Sequence, residues 1–401
     1  MKILVLNSGS SSVKYKLIDS VSGEALAEGG AEKLGLDDAF LKYKRHDGSK
    51  AIVELGAGAG HVEAIKSILN ILTDPVEGCI KSYDEIEAVG HRVVHGGEKF
   101  NKSVLITPEV REKIRECYPI APLHNPANMT GIEAIDELMP DVPQVGVFDT
   151  AFHQTMRPEA YLYPLPYKYY EEDDVRRYGF HGTSHRYVSA RAAEFLGLPI
   201  EKLKMVTCHI GNGASIAAVD GGKSVDTSMG LTPTEGLMMG TRCGDVDAGA
   251  LIFLMKRHNL SADDLMRIVN KESGVLGISG LSNDMREIEA AVEAGDERAA
   301  LALAMDELRI VKYIGAYAAE MGGLDVIVFT GGVGENQTGL REDVCRPLAF
   351  MGVEIDKSVN DTLRGREALI STKDSRVKVV VIPTDEELMI ARDTAEIVSA
   401  L

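Results

Sequence analysis

One unit of sequence occurs twice in this chain and limits the folds open to it. Near the N-terminus the apolar run Ile3-Leu4-Val5-Leu6 leads into the polar stretch Asn7–Ser12 and then into a second run, Val13–Asp19. Around residue 205 the apolar Met205-Val206-Thr207-Cys208 leads into His209-Ile210-Gly211-Asn212-Gly213-Ala214-Ser215, followed by Ile216-Ala217-Ala218-Val219. Both read as strand, polar turn, strand. Setting Asn7 over His209 also sets Gly9 over Gly211. Two further apolar strands end in loops, VGVFDTAFH around Asp149 and VIVFTGGVGEN around Thr330–Asn336, one in each half. The pattern is a weak internal duplication: two α/β halves facing each other across a cleft.

Helices fit between these strands. Asn125 followed by Pro126 reads as an N-cap, with the helix stopping before Pro140. Thr183 or Ser184 can cap a helix running to about Leu196, and Thr384 with Glu387 forms a capping box for the last one. The length, 401 residues, suits two or three domains. A formal charge of −18 with no long basic run argues against nucleic acid or a membrane surface as partner, so an anionic substrate must meet locally placed cations. Cys79, Cys117, Cys208, Cys243 and Cys345 include no CxxC pair and read as reduced thiols of a cytoplasmic protein without a zinc framework. No apolar stretch approaches the roughly 18 residues of a membrane helix.

The Asn7–Ser12 turn has the composition of a phosphate cradle, and Lys14 follows it, but a plain hairpin turn also fits these residues. It is not a Walker loop, because the GK[ST] ending is missing. The second such turn, at His209–Gly213, favours two phosphate loops around a nucleotide; Gly331–Asn336 is a third glycine-rich loop. Beside these lie His91-Arg92-Val93-Val94-His95-Gly96-Gly97, His181 ahead of a helix start, Arg242 in Gly240–Asp245, and His124. Any one of them is explained by a satisfied core histidine or a surface ion pair. Together, next to phosphate-type turns, they suit a site that stabilises a transferring phosphate.

The segments LVLNSGSSSVKYKL, HRVVHGG, PLHNPAN, FDTAFH, YGFHGTSH, HIGNGASIAAVDGG, GLMMGTRCGDVD, FTGGVGEN and TDEELMIARDT, in this order from residue 2 to the last helix, resemble the acetokinase family. The resemblance implies the acetate and sugar kinase, heat-shock ATPase and actin superfamily fold: α/β, two duplicated ribonuclease H-like (actin-like ATPase) domains facing a nucleotide cleft. Residues 1–150 with 384–401 would form one domain and 151–383 the other. It implies reversible phosphoryl transfer from ATP to acetate giving ADP and acetyl phosphate, with magnesium (or manganese) and a homodimer. Carried over by position, Asn7 and Glu386 would hold the metal. Lys14, His209, Ile210, Gly211, Asn212, Gly213, Asp284, Met285, Arg286, Gly332, Val333, Gly334, Glu335 and Asn336 would contact nucleotide. Arg92 would bind substrate, Asp149 would be the catalytic acid, and His181 and Arg242 would stabilise the transition state, with His124 beside them. Val94, Leu123, Phe180 and Pro233 would hold the acetate methyl. Asp385 stands where the family more often has Asn, and Glu387 is left as a helix cap.

Acetate is already ionised at neutral pH, given a pKa near the 4.3 of a Glu side chain, so transfer to it needs positioning and charge neutralisation rather than a general base. Asp149 is therefore expected to orient Arg92 or metal-bound water. Filament-forming or chaperone ATPases would use the nucleotide loops without the Arg–His cluster, and phosphatase-like or binding-only relatives would keep the phosphate loops but lack an acceptor pocket; the Arg92, His181 and Arg242 motifs discriminate against both. Within kinases the alternative is a propionate or butyrate kinase.

Overall fold

The computed structural model describes residues 1–45 and 47–401. Among these, the chain separates into two compact units, Met1–Ala151 with Asp385–Leu401, and Phe152–Thr384.

The first unit is built on eight strands: β1 (Lys2–Gly9), β2 (Ser12–Asp19), β3 (Ala25–Glu32), β4 (Phe40–Arg45), β5 (Lys50–Glu54), β6 (Ala88–Val93), β7 (Val104–Leu105) and β8 (Gln144–Phe148). Their order is β5-β4-β3-β2-β1-β6-β8-β7. The unbroken apolar run of β1 has a simple cause: both faces of this strand are covered. Leu4 and Leu6 pack with Ile65, Ile68 and Leu69 of the helix His61–Leu72, while Ile3 and Val5 pack with Ile390 and Ala391 of the helix Glu386–Val398. That last helix lies directly on β6. A Cβ at Gly90 would come within 2.5 Å of Thr394 Oγ1 and 2.7 Å of Ile390 Cγ2, so the glycine permits the approach that seats Glu386 near Arg92.

The second unit holds β9 (Lys204–Ile210), β10 (Ala214–Asp220), β11 (Lys223–Thr227), β12 (Val326–Thr330), β13 (Ala368–Leu369) and β14 (Lys378–Val381), in the order β11-β10-β9-β12-β14-β13. Strands β3-β2-β1-β6-β8 and β11-β10-β9-β12-β14 share one design, an antiparallel meander of three followed by two parallel strands. This is the ribonuclease H-like arrangement, present twice, and it is the expected fold class. Asn7 lies opposite Lys14 and His209 opposite Ser215, each near the turn of its hairpin.

Local expectations fail where chain ends are concerned. Asn7, Ser8 and Gly9 belong to β1, so the first turn is only Ser10-Ser11, and the ladder to β2 occupies backbone groups that a phosphate cradle would need. The helix Asn125–Leu138 is capped by His124, not Asn125, whose buried amide instead bonds the His95 backbone in both directions. His181, not Thr183 or Ser184, precedes the helix Gly182–Leu196. Asp385 caps the last helix by accepting from Leu388 N at 3.0 Å, in place of Thr384. Asp and Asn cap equally well, which explains why Asp is tolerated there. Glu387, freed from the cap, reaches Lys16 at 3.4 Å. The glycine-rich segment Gly331–Asn336 is one helical turn rather than a loop. Among the described residues no helix is long and apolar enough to cross a membrane.

Candidate active site

In the first unit the ends of β1, β6 and β8 and the start of the last helix bring charged groups together. Arg92 forms a two-pronged pair with Asp149, Nε to Oδ1 at 2.9 Å and Nη2 to Oδ2 at 2.5 Å, and Glu386 lies 3.8 Å from the Arg92 Nε. Burial disfavours the Arg92 charge, but Asp149 and Glu386 outweigh it and push the guanidinium pKa up. Glu386 is pushed the other way for a carboxylate: burial raises its pKa, with Asp149 and Glu387 adding to the rise and Arg92 and Lys14 opposing it. Asn7, Lys14, Arg92, Glu386 and Glu387 line one small cavity of about 20 Å³. The Asn7 amide makes no side-chain hydrogen bond among the described residues. An amide oxygen and a carboxylate facing a space for about one water fit magnesium, which keeps several waters and takes its remaining oxygens from phosphate.

In the second unit two catalytic-type residues converge over a glycine. A Cβ placed on Gly213 would lie 3.3 Å from Arg242 Nη1 and 3.8 Å from His181 Cε1. Arg242 makes no ion pair among the described residues, its recorded contact being Met239 Sδ at 3.6 Å. Burial lowers its pKa. A guanidinium so placed, without a counter-ion, is an anion site. His181 adopts a left-handed backbone, φ 55°, which costs a non-glycine residue about 1 kcal/mol or more and holds its ring at the mouth of the turn. Ser215 Oγ bridges His181 Nδ1 (2.9 Å) and His185 Nε2 (2.8 Å), and His185 Nδ1 meets Thr207 Oγ1 at 2.7 Å. Burial keeps His185 neutral, so this chain ties down one side of the His181 ring without adding charge. The His181 ring stacks on His209 at 4.2 Å, and His209 is fixed in turn through Ser184 to Thr384.

Next to these residues lies a cavity of about 760 Å³. Ile210, Gly211, Asn212, Asp284, Met285, Arg286, Gly332, Val333 and Asn336, residues that the resemblance assigns to nucleotide contact, line it. Gly331 has φ 78° and would clash with the Ile210 carbonyl, 2.7 Å away, if it carried a Cβ, so the turn after β12 closes onto β9. His209, Gly213, Gly334 and Glu335 do not line the cavity. Glu335 is committed elsewhere: its carboxylate accepts from Gly331 N and Thr384 N and braces the turn. Lys14 belongs to the first unit's cluster. Of the expected methyl pocket, Val94 and Phe180 are buried and Pro233 half-buried, whereas Leu123 is 70% exposed. Val94 lies just past β6, and its N–H is held by Asn128 Oδ1, so strict strand alternation does not govern its direction. His124 is half-buried at the start of its helix.

The sequence reading missed Met238, Met239, Val275, Asn283, Asp306 and Gln337 in the cavity wall. The Met238-Met239 pair next to Gly240 was a usable signal, since Met suits adaptable apolar walls. Asp306 offered none: it lies inside a long helix, Glu297–Glu320, far in sequence from any glycine turn.

The acetokinase family model matches residues 2–392. An acetate kinase of Parabacteroides distasonis is 60% identical over 397 residues, 99% of each chain. A crystal structure of Porphyromonas gingivalis acetate kinase superposes with a TM-score of 0.96 at 59% identity, covering 99% of both chains. A propionate kinase structure from Francisella tularensis subsp. tularensis SCHU S4 gives 0.92 at 41% identity, covering 98% of this chain and 99% of that one.

Proposed function

This chain belongs to the acetokinase family, and from that premise we propose that it is an acetate kinase, passing the γ-phosphoryl group of ATP directly and in line to acetate to give acetyl phosphate and ADP, reversibly. The observation that carries the reading is Arg242, half-buried without an ion pair among the described residues and converging with His181 over Gly213. Identity near 60% to acetate kinases, against 41% to a propionate kinase, favours acetate as the acceptor.

The chemical problem is repulsion between an anionic nucleophile and an anionic phosphate. Arg92 binds the acetate carboxylate, and Asp149 fixes the plane of the Arg92 guanidinium through its two hydrogen bonds. This positioning role supports the expectation that Asp149 orients rather than transfers a proton. Arg242 and His181 meet the equatorial oxygens of the transferring group, where charge is spread in the transition state. The 760 Å³ cavity takes the nucleoside, with Gly211, Asn212 and Gly332 toward the phosphates. Asn7 and Glu386 would hold magnesium, which when bound to the phosphates neutralises part of their charge. Val94, buried in the first unit, is the residue proposed to meet the acetate methyl.

The enzyme acts as a homodimer. The helices Ala248–His258 and Ala262–Lys271 bury none of their residues in the chain, and Ile252, Phe253 and Met266 are more than half exposed, as a face covered by a second copy would be. Five free thiols suit a reducing cytoplasm. The deciding experiment traps acyl phosphate with hydroxylamine after incubation with magnesium-ATP and formate, acetate, propionate or butyrate. Acetate should give the highest kcat/KM; a maximum at propionate or butyrate would replace the assignment with that of a longer-chain kinase.

A further inference from the structure

The nucleoside cavity contains one polar side chain that neither the fold nor the phosphate chemistry uses. Asp306, midway along the helix Glu297–Glu320, is 4% exposed and lines the cavity. Its carboxyl makes no hydrogen bond or ion pair among the described residues. Other polar side chains of the wall are engaged: Asp284 with Arg286, Asn283 with Asn212, and Asn336 with the Gly332 carbonyl. Burial, helped by Glu307 and opposed by Arg309, pushes the Asp306 carboxyl up to about 7. The helix Gly274–Ser279, packed against this one, carries no charge. The helix Met285–Glu293 contributes Arg286, Glu287, Glu289 and Glu293, and the helix Thr338–Cys345 with the turn after it contributes Arg341, Glu342, Asp343 and Arg346. Strands β9 and β10 bring Lys204, Cys208, His209 and Asp220.

A buried carboxyl would repel phosphate, so Asp306 belongs to the end of the cavity that takes the base. The cavity wall also carries the apolar Met238, Met239, Val275 and Met285, which suit a base. We propose that Asp306 reads the Watson–Crick edge of the purine and makes base preference depend on pH. As a carboxylic acid it accepts from the adenine 6-amino group and donates its own proton to adenine N1. As a carboxylate it is acceptor-only and pairs instead with the guanine N1–H and 2-amino group. Low pH therefore favours adenine nucleotides and high pH guanine nucleotides. The inference rests on the cavity being the nucleotide site.

The test is calorimetric binding of magnesium-ADP and magnesium-GDP to the full chain at pH 6.0 and 8.5. The ratio of the two dissociation constants cancels every group that acts on the phosphates or the metal, because both nucleotides share them. In the wild type, the preference for ADP over GDP should fall by about tenfold or more across this range, the scale of one two-pronged base contact. In Asp306→Asn and in Asp306→Leu the ratio should be flat. A flat ratio in the wild type overturns the proposal, and so does a pH-dependent ratio that persists in both variants. Hydroxylamine trapping on the same samples reports separately on the acetate kinase reading: nucleotide binding with the stated pH dependence but no acyl phosphate would sink that reading and leave the base contact standing.

Discussion

The two units carry the same five-strand order but put different chemistry at the strand ends. In the first, the guanidinium of Arg92 is matched by Asp149 and approached by Glu386, so the cluster is acidic and held by ion pairs. In the second, Arg242 has no ion pair among the described residues, and its neighbour His181 is tied to neutral partners, Ser215 and His185. A paired arginine keeps its geometry but gives little net charge to a ligand; an unpaired one gives its whole charge. The first unit is thus suited to orienting a small acid and holding a divalent cation, the second to receiving phosphate. The scaffold alone does not choose between these roles, since both scaffolds are alike.

This contrast can be broken most directly at Arg242. Arg242→Ala should lower kcat by about 10²–10³ with a modest change in the KM for ATP, the usual cost of one electrostatic stabiliser of a transition state. A fall in melting temperature with normal kcat in the folded fraction would show that the residue is structural and the contrast empty.

Asp149→Asn should cost less, about tenfold to a hundredfold in kcat, because Arg92 loses a charged partner but keeps a polar one. The pH profile of kcat/KM should keep its ionisations. Loss of one of them would make Asp149 an acid or base and the first unit more than a positioning device.

Where only burial matters, the units should behave alike. His91 in the first and His153 in the second are both pushed down to about 4, burial being the main cause. Between about 6.5 and 4 the unfolded chain binds a proton that each folded site refuses, so each histidine costs stability as pH falls through that window. Relative to wild type, His91→Gln and His153→Gln should each gain about 1.4 kcal/mol per pH unit between pH 6.5 and 5, read as denaturant midpoints. Equal slopes would confirm the parallel; a flat difference for either would mean that its site already accepts a proton.

The smallest effect concerns Val94. Val94→Ala should improve propionate relative to acetate by about threefold to tenfold, mainly through KM, since a methylene is worth about 0.8 kcal/mol of burial. An unchanged ratio in a well-folded variant would remove Val94 from the acceptor pocket and make it a core residue just past β6.

Sequence alone determined the duplication, because apolar period and glycine spacing are local properties that survive in one dimension: the β1–β2 and β9–β10 hairpins stand where their patterns put them. It also marked Arg92, His181 and Arg242, which sit beside glycine turns that leave a trace in the sequence. Helix starts lie one to three residues from the caps that the sequence suggests, since Asn125, Thr183, Ser184 and Thr384 are all good caps whose side chains are taken by tertiary partners or buried. Only the tertiary structure decided which charges are paired. The partners of Arg92 are 57 and 294 residues away along the chain, and Arg242 makes no ion pair among the described residues. Asp306 shows the same limit, because a carboxyl inside a helix looks like any solvated one until folding removes the water around it and turns it toward a cavity.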